Sequence, residues 1–153
     1  MAFGTPRNYY KKYLFEVQID GIAWAGFMSC SGLSFETETI EINEGGLNRP
    51  AAKDPGRVKF EPITLKRGAT DDLDTYAWAI AVNEGASGIG LPSQVVKRNV
   101  SIVQKDRSGV VLRRWNVVNA WPKKFTAGDW DNSSNEATIE EMVLEHDYFA
   151  LAE

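Results

Sequence analysis

From Trp115 to Pro122 the chain reads Trp-Asn-Val-Val-Asn-Ala-Trp-Pro. Its period of two sends successive side chains to opposite faces of an extended strand. Proline donates nothing to a ladder, so the pattern predicts that the strand closes at Pro122. The same period runs from Tyr13 to Ile19, with Tyr13, Phe15, Val17 and Ile19 on one side. Asp20-Gly21 turns that strand back into a short partner, Ile22 to Met28. Ser29 to Gly32 is a small-residue break. Leu33 to Glu44 then reads as a longer strand with Phe35, Thr37, Thr39 and Glu41 on one side and Glu36, Glu38, Ile40 and Ile42 on the other. Neither side is apolar enough for a deep core.

Gly45 to Gly56 predicts a loop of roughly a dozen residues, long for a compact domain. Val58 to Arg67 is the next strand, with Pro62 marking an edge or a bulge. One helix is expected after Thr70 or Asp71 as cap, with Leu73, Tyr76, Ala77, Ile80 and Ala81 forming its apolar stripe and its end near Asn83 to Gly85. Ala86 to Ser93 is a loop. Arg98 to Lys105 and Val110 to Asn119 make a hairpin across Asp106 to Gly109, Pro122 to Asn135 is a long connection, and Glu136 to Tyr148 closes the chain as a strand. The expected fold is a single domain over residues 1–153, mainly β: an antiparallel β-sandwich or half-barrel with one flanking α-helix.

The residue inventory excludes more chemistry than it supports. The net charge of −4 opposes a nucleic-acid binder that works through clustered lysine and arginine. No apolar run approaches the ~18 residues of a membrane span, and Met1 to Arg7 lacks the apolar stretch of a Sec signal. Cys30, the single cysteine, has no internal disulfide partner. His146, the single histidine, lies on a strand between Glu145 and Asp147, whose side chains point to the other face, so no triad forms locally. One Cys and one His cannot make a zinc site. Asp129-Trp130-Asp131-Asn132 begins like a calcium loop but lacks the glycine and the terminal glutamate of one, and reads as an Asx turn. The expectation is therefore a protein with no catalytic, metal or cofactor site.

Several motifs stand in a fixed order: Phe15-Glu16-Val17-Gln18-Ile19-Asp20-Gly21, Gly26-Phe27, Ser31-Gly32-Leu33-Ser34 with Glu36-Thr37-Glu38, Gly45-Gly46, Lys53 to Gly56, and Ile63-Thr64-Leu65-Lys66-Arg67-Gly68. The helix with Trp78, the Trp115 to Pro122 segment and Ile139 to His146 follow. Taken together, they resemble the tube proteins of contractile phage tails and phage-like contractile injection systems. Two departures are visible. Tyr76 and Trp78 stand where the family usually has a Leu-Trp-x-Trp-like cluster, and Ala86 to Lys97 is expanded or diverged.

The resemblance implies hexameric rings that close into a ring-shaped β-barrel and stack into a tube inside a sheath. It implies as partners further copies of the chain, a sheath protein, baseplate and tail-terminator proteins, and DNA or protein cargo in the lumen, with no membrane binding by the subunit itself. It also implies assembly in the bacterial cytoplasm and release in a virion tail or an extracellular injection particle. Within that frame Gly45, Gly46, Leu47, Arg49 and Lys53 are expected to form an intersubunit arm, and Phe3, Tyr9 and Tyr10 to dock on a neighbour. Glu36, Glu38 and Glu41 are the lumen candidates, although alternation separates Glu41 from the other two unless a bulge intervenes. The alternatives are a tube initiator or baseplate adaptor of the same fold and a small ligand-binding β-barrel lined by Trp24, Trp78, Trp115, Trp121 and Trp130. A hydrolase using the Glu36 and Glu38 carboxylates is the most distant.

Overall fold

Val, Trp and Asn residues recur along one long strand, and the rest of the fold is arranged around it. The computed structural model describes residues 9–10, 14–42, 52–70, 73–86 and 97–152. In chain order the elements are β1 (Phe15–Ile19), β2 (Ile22–Ala25), β3 (Ser29–Ser31), β4 (Phe35–Ile42), β5 (Ala52–Phe60), β6 (Ile63–Gly68), α1 (Asp74–Ala86), β7 (Arg98–Lys105), β8 (Val111–Thr126), β9 (Ile139–Glu145) and β10 (Tyr148–Leu151). Eight strands join in one antiparallel sheet, ordered β2-β1-β7-β8-β9-β6-β3, with β10 also on β8; β4 and β5 form a separate pair. This is the mainly β architecture expected from the pattern, with one helix among the described residues.

The long strand β8 runs through Pro122 instead of ending there. Between Pro122↔Leu144 and Lys124↔Val143 it carries one residue more than β9, so the proline lies beside a bulge, where a missing N–H is tolerated. Its bend comes earlier, at Asn119. That residue has φ 55, a conformation asparagine adopts more readily than most residues. Asn119 is held there by its own N–H donating to Asn99 Oδ1 at 3.2 Å and by its Nδ2 donating to Asp147 Oδ2 at 2.7 Å. The last strand of the sequence pattern is interrupted opposite this bend. It becomes β9 and β10, which keep one register along β8, Trp121↔Glu145 and Val118↔Tyr148.

The core gathers Val17 and Ile19 of β1, Ile63 and Leu65 of β6, Val100 and Ile102 of β7, Val117 and Ala120 of β8, Met142 and Leu144 of β9, and Trp78 of the helix. The helix turns a different face inward from the one its apolar pattern predicts. Thr75 and Trp78 are buried and Val82 packs beside them, whereas Leu73 and Tyr76 are exposed. Below the helix, Arg67 is 4% exposed. It donates from Nε to Glu140 Oε2 at 3.2 Å and from Nη2 to Thr75 Oγ1 at 2.9 Å, with the Phe27 ring 6.0 Å away. One guanidinium thus ties β6, β9 and the helix together.

Two further expectations are corrected. Ser29 to Ser31 is a strand, β3, paired with β6, and the strand expected over Val58 to Arg67 breaks at Glu61-Pro62, sending β5 and β6 to different sheets. Gly32 explains the tight passage between them. It has φ +98, and a Cβ there would stand 2.1 Å from the Pro62 carbonyl oxygen, so only glycine lets the two backbones cross.

Candidate functional site: a hairpin exposed on both faces

The β4–β5 pair is the part of the molecule that its own core does not account for. Thr37, Thr39, Ile40, Ile42 and Val58 favour extended backbone, and seven residue pairs from Phe35↔Phe60 to Ile42↔Ala52 hold the strands together. Every residue of β4 is exposed, and in β5 only Gly56 and Phe60 are partly covered. Phe35 is 61% exposed, and Ile40, Ile42 and Val58 are also open to solvent. An isolated two-stranded hairpin is marginal in water, and unpaired strand edges are templates for another chain.

The base of the hairpin is fixed by aromatic rings. Phe35 and Phe60 lie 5.9 Å apart, and Phe149 of β10 sits 6.1 Å from the first and 5.4 Å from the second. Trp115 stacks edge-on against Phe149 at 5.8 Å. His146 completes the junction. Its ring is 5.9 Å from Phe60, and its Nε2 is 3.0 Å from the Glu61 carbonyl oxygen. The single histidine is therefore a packing group at the hairpin's root, between β9 and β10. Phe149 and the Trp115–Phe149 contact carry no local sequence signal, because the ring partners come from strands far apart in the chain.

The register corrects the expected loop. Gly45, Gly46, Leu47 and Arg49 lie outside the described residues, but Ala52 to Gly56 belongs to β5, and Lys53 is paired with Glu41 in the ladder. Pro55 and Gly56 are accommodated by a bulge: two steps from Thr37 to Thr39 match three from Val58 to Pro55. A Cβ on Gly56 would come within 3.1 Å of Ile40 Cγ1, so the side chain of Ile40 fills the place a larger residue would need. The extra residue belongs to β5, leaving β4 regularly alternating. Glu36 and Glu38 consequently share the face opposite Phe35, and Glu41 lies on the face of Phe35.

The other expected groups are placed as follows. Phe3 lies outside the described residues. Tyr9 is 82% exposed, and Tyr10 meets the Arg113 guanidinium at 5.1 Å. The four tryptophans whose side chains are described do not converge. Trp78 is buried, Trp115 joins the aromatic junction, Trp121 and Trp130 border two separate grooves of about 420 and 610 Å³, and the Trp24 side chain lies outside the described residues. Burial pushes the Cys30 thiol up to about 11, so it stays protonated at neutral pH. Asp131 accepts from Ser133 N at 3.0 Å and Ser133 Oγ at 2.7 Å, which makes the expected Asx turn and holds its carboxyl below the usual range. Glu16 is likewise lowered, first by its hydrogen bond from Lys105 and then by that from Gln18. Among the described residues no three His, Cys, Asp or Glu side chains gather at a metal-binding distance.

The profile of the family described as "T4-like virus tail tube protein gp19" matches residues 11–150. The chain belongs to this tail tube family. No curated protein sequence matches it significantly. Solved structures similar to it come from contractile injection particles. One is from the anti-feeding prophage cap, with 27% identity and a TM-score of 0.83 over 99% of this chain and 95% of the other. Another is from the PVC sheath-tube complex in its extended state, with 29% identity and a TM-score of 0.77 over 94% and 91%. A third is from the PVC sheath/tube terminator, with 28% identity and a TM-score of 0.81 over 97% and 100%. Hcp1 from Flavobacterium johnsoniae, at 11% identity and a TM-score of 0.53, shares the fold. The tail tube family is one of structural proteins, and its β-rich fold carries a tube-like protein of contractile injection systems.

Proposed function

We propose that the chain is the repeated subunit of the inner tube, forming hexameric rings that stack inside a sheath and carry DNA or protein through their lumen. The observation that carries this is the β4–β5 hairpin, which among the described residues is exposed on both faces and open at both edges while the remaining strands share one core. A ring of copies supplies what the monomer lacks: neighbouring strands for the edges, an aqueous channel for one face and protein for the other. The face opposite the aromatic junction, with Glu36 and Glu38, lines the channel in this arrangement. Because Glu36 stands opposite Lys59, the wall is mixed in charge and holds neither nucleic acid nor protein tightly. Glu41 lies on the other face and is not part of it. Sheath, baseplate and terminator proteins are the outer and end partners, and the exposed Tyr9 belongs to an N-terminal segment that docks on a neighbouring copy.

A second reading is favoured by the likeness to the anti-feeding prophage cap and PVC terminator particles: a protein at the end of the tube, which forms one ring and stops. Negative-stain imaging of the purified chain separates the two, with stacked rings expected for the tube subunit and single rings for an end protein. The arm is tested in the same assay. Deleting Leu47 to Pro50, which spares the paired residues Ala52 and Lys53 of β5, is expected to leave a folded subunit that makes rings without stacking them, and tubes of normal length from this variant would rule out the arm.

A further inference from the structure

The two strands of the hairpin carry opposite charge. β4 holds Glu36, Glu38 and Glu41 and no cation, whereas β5 holds Lys53, Arg57 and Lys59 against Asp54. The acids and bases occur in matching order when the strands run antiparallel, with Glu36 opposite Lys59 and Glu41 opposite Lys53, and with Glu38 and Arg57 near the bulge between them. Among the described residues these six side chains form no ion pair with one another, and the outer edge of each strand is unpaired.

We infer that the hairpin joins a second copy head to tail, the acidic strand β4 of one copy lying antiparallel beside the basic strand β5 of the next, and that this charge pattern selects which edges meet. The inference rests on the tube reading and adds to it the rule by which subunits join. Three edge contacts are available to two identical hairpins. β4 on β4 sets glutamates beside glutamates, β5 on β5 sets cations beside cations, and like charges on adjacent strands repel. Only β4 on β5 alternates the sign. It is also the only one of the three that leaves a free β4 edge and a free β5 edge after each addition, so it alone propagates until a ring closes. The two rejected contacts are both two-fold, so the charges act against a dead-end dimer as much as for the ring.

The test exchanges the charges. A variant with Glu36→Lys, Glu38→Lys, Glu41→Lys, Lys53→Glu, Arg57→Glu and Lys59→Glu keeps opposite signs within its own hairpin and between its own copies. It is mixed at low salt with wild type carrying a different affinity tag, from dissociated subunits. Each protein is expected to assemble with itself, and mixed assemblies are expected to fall at least roughly tenfold below random mixing. Raising NaCl from about 50 mM to about 500 mM shortens the screening length and should restore mixing. Free co-assembly at low salt overturns the inference and leaves the tube reading standing. If the exchanged variant does not fold, the wild type alone decides: ring yield should fall over the same salt range, and a yield that is constant or rises overturns the charge rule. A wild type that forms no assembly under any of these conditions overturns the tube reading and the inference with it.

Discussion

Trp78→Ala is expected to lower the unfolding free energy by about 3–5 kcal/mol, the usual cost of removing a large buried aromatic side chain. Trp78 is 1% exposed and is the member of the core cluster contributed by the helix. Its ring lies under the Arg98 guanidinium at 5.4 Å, so it links α1 to β7 as well as to the sheet's apolar face. Removing it leaves a cavity at the helix–sheet contact and frees the helix from its main anchor. For a chain of this size the loss corresponds to a fall in Tm of roughly 6–20 °C, measurable by differential scanning calorimetry. Tyr76→Ala is the control. Tyr76 is half exposed and meets the Phe125 ring at 5.6 Å, so its loss should cost about 1 kcal/mol or less. Equal effects from the two substitutions would mean that the helix docks by the face containing Tyr76.

Arg67→Ala should cost about 3 kcal/mol, near the lower end of the range for breaking a buried ion pair from one side. The lower end applies because the Glu140 side chain retains 19% of its exposure and can recruit water, while that of Arg67 retains 5%. The substitution leaves Glu140 without its cation and takes from the Thr75 hydroxyl its donor at 2.9 Å. Arg67→Lys should recover less than half of the loss, since one ammonium does not reproduce a planar fork that reaches both Glu140 and Thr75. A double-mutant cycle with Glu140→Ala, followed by urea denaturation, measures the coupling. Additive losses would show that Arg67 stabilises through contacts other than its pair with Glu140, the Thr75 hydrogen bond among them.

Much of this architecture is legible in the sequence because most of its strands are half buried. The period of two in Phe15–Ile19 and the turn at Asp106 to Gly109 are local signals, and both elements form where they indicate. The misplacements share a cause. Pro55, Gly56 and Pro122 have the chemistry of strand ends, yet each lies within a strand, next to a bulge that removes the need for a regular ladder. The helix face departs from its pattern for a different reason: Leu73 and Tyr76 extend the apolar stripe, but the bulky ring of Trp78 is the side chain that the core takes in. Of the candidate site, the weak alternation in Phe35 to Ile42 correctly marked a strand that the monomer does not bury. The bases that face its acids were hidden, because Lys53 sat in a segment whose proline and glycine signalled a loop. The aromatic junction of Phe35, Phe60, His146, Phe149 and Trp115 depends on contacts between remote strands, which no period in a single sequence reports.

Electron cryomicroscopy of the assembled particle, at a resolution that separates strands, will decide whether the β4–β5 hairpin is an inner-wall, subunit-joining element of a tube. Hairpins are expected side by side around the channel, β4 of each copy against β5 of the next, with Glu36 and Glu38 facing the lumen. A map with the hairpins on the outer wall, or with Glu36 and Glu38 enclosed in protein, would contradict it.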